Sequence, residues 1–261
     1  MDAITVLKPN ACPFPSCSTG PADARFLKRS EVEEQYGGGS WQRKVFAEFE
    51  ATLTSKVRPF PCVFGVSGFE RDELRYVFLE TITGRALAVP LECYIAQARG
   101  FGSHTSLVVF SRPAPVLSVK DYHNRFWSVL RNLSNADSDP WPSDIPHTVD
   151  DARWEFCFAG EPLFVVCNTP AHVARQSRRA SAMTMTFQPR WVFDGILGKQ
   201  SLAERAVGAV RARLKPYDHI AAASSLGLYG DPNNREAAQY FLSDDAEPMG
   251  CPFKHLREEQ R

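Results

Sequence analysis

The chain has 261 residues, enough to bury one substantial core, in an ordinary globular composition. Thirty basic and thirty acidic side chains leave a formal net charge of zero, so no global basic field is available to hold a nucleic acid. No apolar run approaches the roughly 18–20 residues of a membrane helix, and an acid at position 2 followed by prolines argues against a secretory leader. The expectation is a cytoplasmic protein, off the membrane, whose seven cysteines are thiols.

Residues 1–40 read as an N-terminal extension, partly ordered and closed by Gly37-Gly38-Gly39-Ser40, with a short helix near 28–35 capped by Ser30. Cys12 and Cys17 have a C-x4-C spacing, but no second pair completes a zinc set. Residues 41–261 read as a single domain. Val45, Phe46, Phe49 and Leu53 recur at helical spacing over 41–57, and Pro59 and Pro61 end that helix. Gly65 and Gly68 mark a tight turn before a strand at 74–80. A second helix spans 84–99 and a short buried strand 105–110. Ser118 and Asp121 form a capping pair for a third helix, with Tyr122, Phe126, Val129, Leu130 and Leu133 inward.

The segment 137–151 is a proline-rich acidic loop, where Trp141 either covers a pocket or pins a surface loop. Two strands, 154–158 and 162–167, are joined by Ala159-Gly160-Glu161, and the second is continuously apolar and therefore central. Thr169 and Pro170 start a short helix over 171–179, and 182–187 alternates as another strand. Ser201 and Glu204 make a capping box for a helix at 201–214, and a last short helix spans 235–242. The fold class is α+β (mixed α/β): one domain with a mostly antiparallel or mixed central sheet flanked by helices.

His172 follows the buried strand, and neutral imidazole is a known ligand for haem iron; the alternative is a hydrogen-bonded structural histidine. Arg175, Arg178 and Arg179 offer forks for carboxylates, or else a solvated basic helix face. Phe156, Phe158, Phe164, Phe187, Trp191 and Phe193 could surround a flat ring or be ordinary core. Cys251, ahead of a proline, is the rival axial ligand, with Cys62 and Cys167 behind it. No phosphate-binding glycine loop, H-E-x-x-H pair or G-x-S-x-G elbow is present, which leaves nucleotide-dependent and common hydrolytic chemistry unsupported.

The blocks PCVFG (61–65), LRYVF (74–78), RFW (125–127), DPWP (139–142), WEFCFAGEPLFVVCNTPAH (154–172), FQPRWVFD (187–194), YGDPNNRE (229–236) and CPF (251–253), in this order, resemble the YqcI/YcgG-type family. The resemblance implies a haem-dependent monooxygenase of specialised-metabolite (antibiotic) biosynthesis, which N-hydroxylates a basic amino acid, foremost the guanidino group of L-arginine. Its implied requirements are haem b, O2 with an external electron donor and redox partner, or peroxide. Alternatives within the resemblance are oxidation of a lysine-type amine to a nitro group, or a non-catalytic haem-binding or sensor protein. It favours His172 as the iron ligand. Arg175, Arg178, Arg179, Arg190, Phe187 and Trp191 are then expected around the cofactor. Glu155 is expected to meet the substrate cation ahead of Glu161 and Asp194, and Arg75 or Arg190 its carboxylate.

Overall fold

The structure, a computed structural model, describes residues 26–197 and 200–257, without the side chains of 195–203. Five strands are β1 (Arg75–Leu79), β2 (Leu107–Ser111), β3 (Phe156–Phe158), β4 (Glu161–Asn168) and β5 (Thr184–Pro189). They form one sheet in the order β1-β2-β5-β4-β3, with β1 and β2 parallel and the other neighbours antiparallel. Eight α-helices lie among the described residues: α1 (Arg29–Gln35), α2 (Trp41–Thr54), α3 (Val63–Glu70), α4 (Gly84–Gln97), α5 (Val119–Ala136), α6 (Arg190–Leu197), α7 (Gln200–Tyr217) and α8 (Ala237–Tyr240). The mixed α+β class is as the sequence indicates.

Side-chain alternation gives the sheet two different faces. On one, Val77, Val109, Leu163, Val165, Met185 and Phe187 pack against α4, α5 and α8 in the main core, where Trp127 and Trp154 are fully buried. Each such aliphatic or Phe side chain contributes about 1.5–3 kcal/mol. On the other face, Tyr76, Phe78, Val108 and Phe110 pack under α1, α2 and α3. Beyond this smaller cluster the second face turns polar, with Asn168, Thr184, Thr186 and Gln188 on neighbouring strands. A polar strip on an otherwise buried sheet prevents close apolar packing there and leaves room for a cavity.

The capping pair at Ser118 forms as expected, its Oγ accepting the Asp121 amide at 3.1 Å. The 3–4 hairpin turns through Ala159 (φ 50°) and Gly160 (φ 69°), the two left-handed residues of a type I′ turn. Other expectations need correction. Gly65 and Gly68 lie inside α3, which Cys62 caps, and α1 is preceded by Lys28 at its N-cap instead of Ser30. Residues 171–179 form only a single 3₁₀ turn, Gln176–Arg178. The cap at Ser201 and residues 1–25 of the extension lie outside the described side chains and residues. Cys62, Cys157, Cys167 and Cys251 are free, whereas Cys93 is disulfide-bonded, contrary to the expectation of thiols throughout.

Candidate active site

A cavity of about 650 Å³ occupies the second face of the sheet. Its floor is Phe164, Val166 and Asn168 of β4 with Thr184, Thr186 and Gln188 of β5; α2, α3 and α7 form the roof with Phe49, Phe64, Val207 and Val210. The volume lies well inside the range of small-molecule sites, and the walls are apolar with a few convergent polar groups.

One of these groups is a sulfur. Proline at 59 and 61 ends the chain's excursion from α2, and Cys62 then caps α3, its Sγ accepting the Gly65 amide at 3.4 Å. The sulfur therefore sits at the N-terminus of α3, on the wall of the cavity. Arg178 lines the same cavity. Its Nε is buried without a hydrogen-bond partner among the described residues, and burial holds its pKa below the ordinary arginine value.

The loop that carries Arg178 is fastened from behind. Thr169 N donates to Arg178 O at 2.9 Å, and Asp218 accepts from Ser177 N at 2.6 Å and Ser177 Oγ at 2.9 Å. Arg175 is fully buried and donates to Ser243 O at 2.6 Å and Asp245 O at 3.0 Å. Asp244 accepts the amides of Val173, Ala174 and Arg175 at 2.7–3.0 Å. Burial alone would raise the Asp244 carboxyl, but these three bonds hold it below its ordinary value. His172 belongs to this fastening. Its Nε2 donates to Leu242 O at 2.8 Å, so its Nδ1 is the acceptor for the Thr169 hydroxyl at 2.8 Å. Neither ring nitrogen keeps a free lone pair, and His172 is absent from the cavity wall.

At another part of the wall Arg190, first residue of α6, meets two acids. Its Nε donates to Glu155 Oε2 at 2.7 Å and its Nη2 to Glu155 Oε1 and, at 2.8 Å, to Glu236 Oε1. The guanidinium lies 3.9 Å from the Tyr229 ring centre. Burial pushes the Glu155 carboxyl up to about 7 against the pull of Arg190, and burial also raises Glu236. Burial would lower Arg190, but the Glu155 bonds and charge raise it above an ordinary arginine. Glu236, Tyr229, Asp194 and Arg190 line the cavity; Glu155 stands behind them.

The expected constellation is therefore redistributed. Arg178, Arg179 and Arg190 are on the wall, and Arg175 touches it while its donors are spent on the chain's own carbonyls. Arg179 donates to His172 O at 3.0 Å. Phe187 points to the opposite face of the sheet, since strand alternation separates it from Thr186 and Gln188. Trp191 packs against the main core beneath Arg99, 4.9 Å from its ring centre. Cys251 also packs on that core, and burial pushes its thiol up to about 12. Trp141 donates to Ile145 O at 2.9 Å and pins its own loop. The sequence reading ranked Cys62 behind Cys251 and passed over Glu236, Gln188 and Tyr229. The P-C-x-x-G context of an N-cap and the alternation of Thr184, Thr186 and Gln188 were the available signals.

Among the described residues no three or more His, Cys, Asp or Glu converge as a metal cage, and no helix is long and apolar enough to cross a membrane. A porphyrin needs no such cage: one axial donor, apolar faces and a cation for its propionates suffice. The Cys62 sulfur, the apolar walls and the unpartnered Arg178 Nε fit that requirement.

Three curated relatives match. YcgG of Bacillus subtilis (strain 168) is 41% identical over 241 residues, 89% of this chain and 94% of YcgG. YqcI of the same strain is 38% identical over 226 residues, 83% of this chain and 89% of YqcI. A Streptomyces lavendulae protein named "Putative N(omega)-hydroxy-L-arginine synthase DcsA" is 30% identical over 243 residues, 88% of this chain and 90% of that protein. No solved structure matches. The sequence pattern of the YqcI/YcgG family covers residues 49–254, from the α2 roof of the cavity to the segment that fastens its loop, and the chain belongs to that family.

Proposed function

We propose that the protein is a haem-dependent monooxygenase that hydroxylates a side-chain nitrogen of a basic amino acid, foremost the guanidino group of L-arginine. The observation that carries this reading is a single cavity of about 650 Å³ with a helix-capping sulfur and an unpartnered arginine nitrogen in its wall. The name of the Streptomyces relative supports arginine as the first substrate to try.

Cys62 would hold the iron and Arg178 a propionate. When bound, the haem supplies oxygen activation, with electrons from an external donor, or uses peroxide. The chain's own residues do the rest. The Gly65 amide, donating at 3.4 Å, fixes the position of the Cys62 sulfur at the start of α3. Phe49, Phe64, Phe110 and Phe164 exclude water from the reacting nitrogen. Glu155 fixes Arg190 by two hydrogen bonds and so sets the position of Glu236 on the wall. His172 and Arg175 hold the loop that presents Arg178.

The test is the absorption spectrum of protein expressed with ample haem supply, oxidised, reduced and with CO. A Soret band with thiolate character is expected in the wild type and in His172→Ala, and is lost in Cys62→Ser. A colourless wild type overturns haem dependence, and an unchanged Cys62→Ser spectrum overturns the ligand. Arginine-dependent oxygen consumption with hydroxyarginine in the mass spectrum tests the reaction itself.

A further inference from the structure

Two buried carboxylates share one guanidinium at the cavity wall, and they share it unequally. Glu155 takes Arg190 in a bidentate grip through Nε and Nη2. Glu236 receives only the already shared Nη2, at 2.8 Å, and a long 3.4 Å contact from Gln239 Nε2. One guanidinium can balance only one of the two carboxylates when both are ionised, and Glu236, the less firmly held of the two, is almost fully buried. Burial raises the Glu236 carboxyl, so its ionised form is favoured only with a cation beside it, and a second cation in the cavity meets that need.

Glu236 faces the cavity and Glu155 does not. Beside Glu236 on the wall stand Tyr229 and Asp194. The Tyr229 ring already accepts the flat Arg190 guanidinium at 3.9 Å, which shows the packing that a second planar cation would use. Elsewhere in the same cavity Arg178 Nε is buried with no partner among the described residues, an independent sign that the space is shaped for a charged ligand.

We infer that Glu236 is the specificity-determining residue for the substrate's cationic end, its carboxylate accepting hydrogen bonds from a guanidinium or ammonium group that enters the cavity. The inference deepens the proposed function and rests on its basic substrate. A neutral side chain of the same shape gains no charge-assisted bond there and leaves the second carboxylate without a balancing cation.

The test measures binding by titration calorimetry of two cations, L-arginine and L-lysine, and their neutral counterparts, L-citrulline and L-norleucine, to the haem-loaded full chain. Wild type is expected to prefer at least one cation over its counterpart by at least about tenfold. Glu236→Gln is expected to lose that preference by weakening cation binding, with the neutral ligands unchanged. Glu236→Asp, which keeps the charge, is expected to restore part of it; this separates loss of charge from loss of fold, with thermal melting of all three proteins as a check. Preference retained in Glu236→Gln, or no binding of either cation to the wild type, overturns the role of Glu236. Oxygen consumption is followed in parallel. Turnover with a preference indifferent to Glu236 overturns this inference and leaves the proposed function standing. A Glu236-dependent preference without turnover does the reverse.

Discussion

His172 Nε2 donates to the carbonyl of Leu242 at 2.8 Å, across a separation of 70 residues, and this bond ties the cavity loop to the chain's C-terminal segment. Replacing His172 by Ala takes the donor from the Leu242 oxygen and the acceptor from the Thr169 hydroxyl proton, though the Thr169 oxygen still accepts the Ala171 amide; each unmet buried group costs about 1–3 kcal/mol. Burial lowers the His172 pKa below 6.5. The unfolded chain therefore takes up the proton first on acidification. His172 contributes stability that is complete above 6.5 and lost as pH falls through its folded value. Glu155 and Glu236, raised by burial, act in the opposite direction, so the profile of the whole protein mixes the two. The difference between wild type and His172→Ala isolates the imidazole. In urea melts that difference is expected to shrink between pH about 7.5 and about 5.

Arg175 anchors the same segment by donating to Ser243 O at 2.6 Å and Asp245 O at 3.0 Å from a fully buried position. Hydrogen bonds from a charged donor contribute about 1.5–3 kcal/mol each, so Arg175→Ala is expected to release residues 242–245 before the sheet unfolds. Limited proteolysis checks this: cleavage in that segment should accelerate while near-ultraviolet circular dichroism is retained. Unchanged cleavage means the three amides that hold Asp244 suffice alone.

The sheet, the hairpin and the capped helices were legible because each rests on local chemistry: apolar alternation, the Ala159-Gly160 turn, and a serine cap at Ser118. The cavity was less so. Its floor comes from β4 and β5 and its roof from α2, α3 and α7, which only the tertiary fold brings together. His172 attracted attention as an unexplained histidine after a buried strand. Its role is set by Leu242, a partner no local pattern announces. Phe187 and Trp191 differ from their lining neighbours by the face they take, which turns on a one-residue register. Cys62 was obscured because Gly65 and Gly68 suggested a turn where a helix forms.

That helix tolerates glycine at 68 for a reason that can be tested. A Cβ at Gly68 would lie 2.4 Å from the His104 carbonyl oxygen and 2.9 Å from Leu74 Cδ2, so α3 must shift to accept it. Gly68→Ala is expected to cost about 1–3 kcal/mol in chemical denaturation. Gly208 in α7 is the control. Nothing lies within 4 Å of its Cβ position, and Gly208→Ala is expected to stabilise by up to about 1 kcal/mol through helix propensity. Equal melting shifts for the two variants would exclude steric contact as the cause.

Arg190 is the residue whose loss should be felt most. Removing one partner of a buried ionic cluster leaves the others uncompensated, at a typical cost of about 3–5 kcal/mol. Arg190→Leu strands Glu155 and Glu236 together in low dielectric. Both carboxyls are already raised by burial, Glu155 to about 7, and the absence of the guanidinium raises them further. Protonation then relieves the strain. A folded pKa above the unfolded 4.5 means stability that is gained as pH falls through the folded value and is complete below the unfolded one. The deficit of Arg190→Leu relative to wild type is therefore expected to be larger near pH 8 than near pH 5.5 in chemical denaturation. Adding Glu155→Gln removes one of the two stranded charges and should flatten that dependence. If the deficit is the same at both pH values in both variants, Arg190 acts by packing against Tyr229 and Phe193 and not by charge.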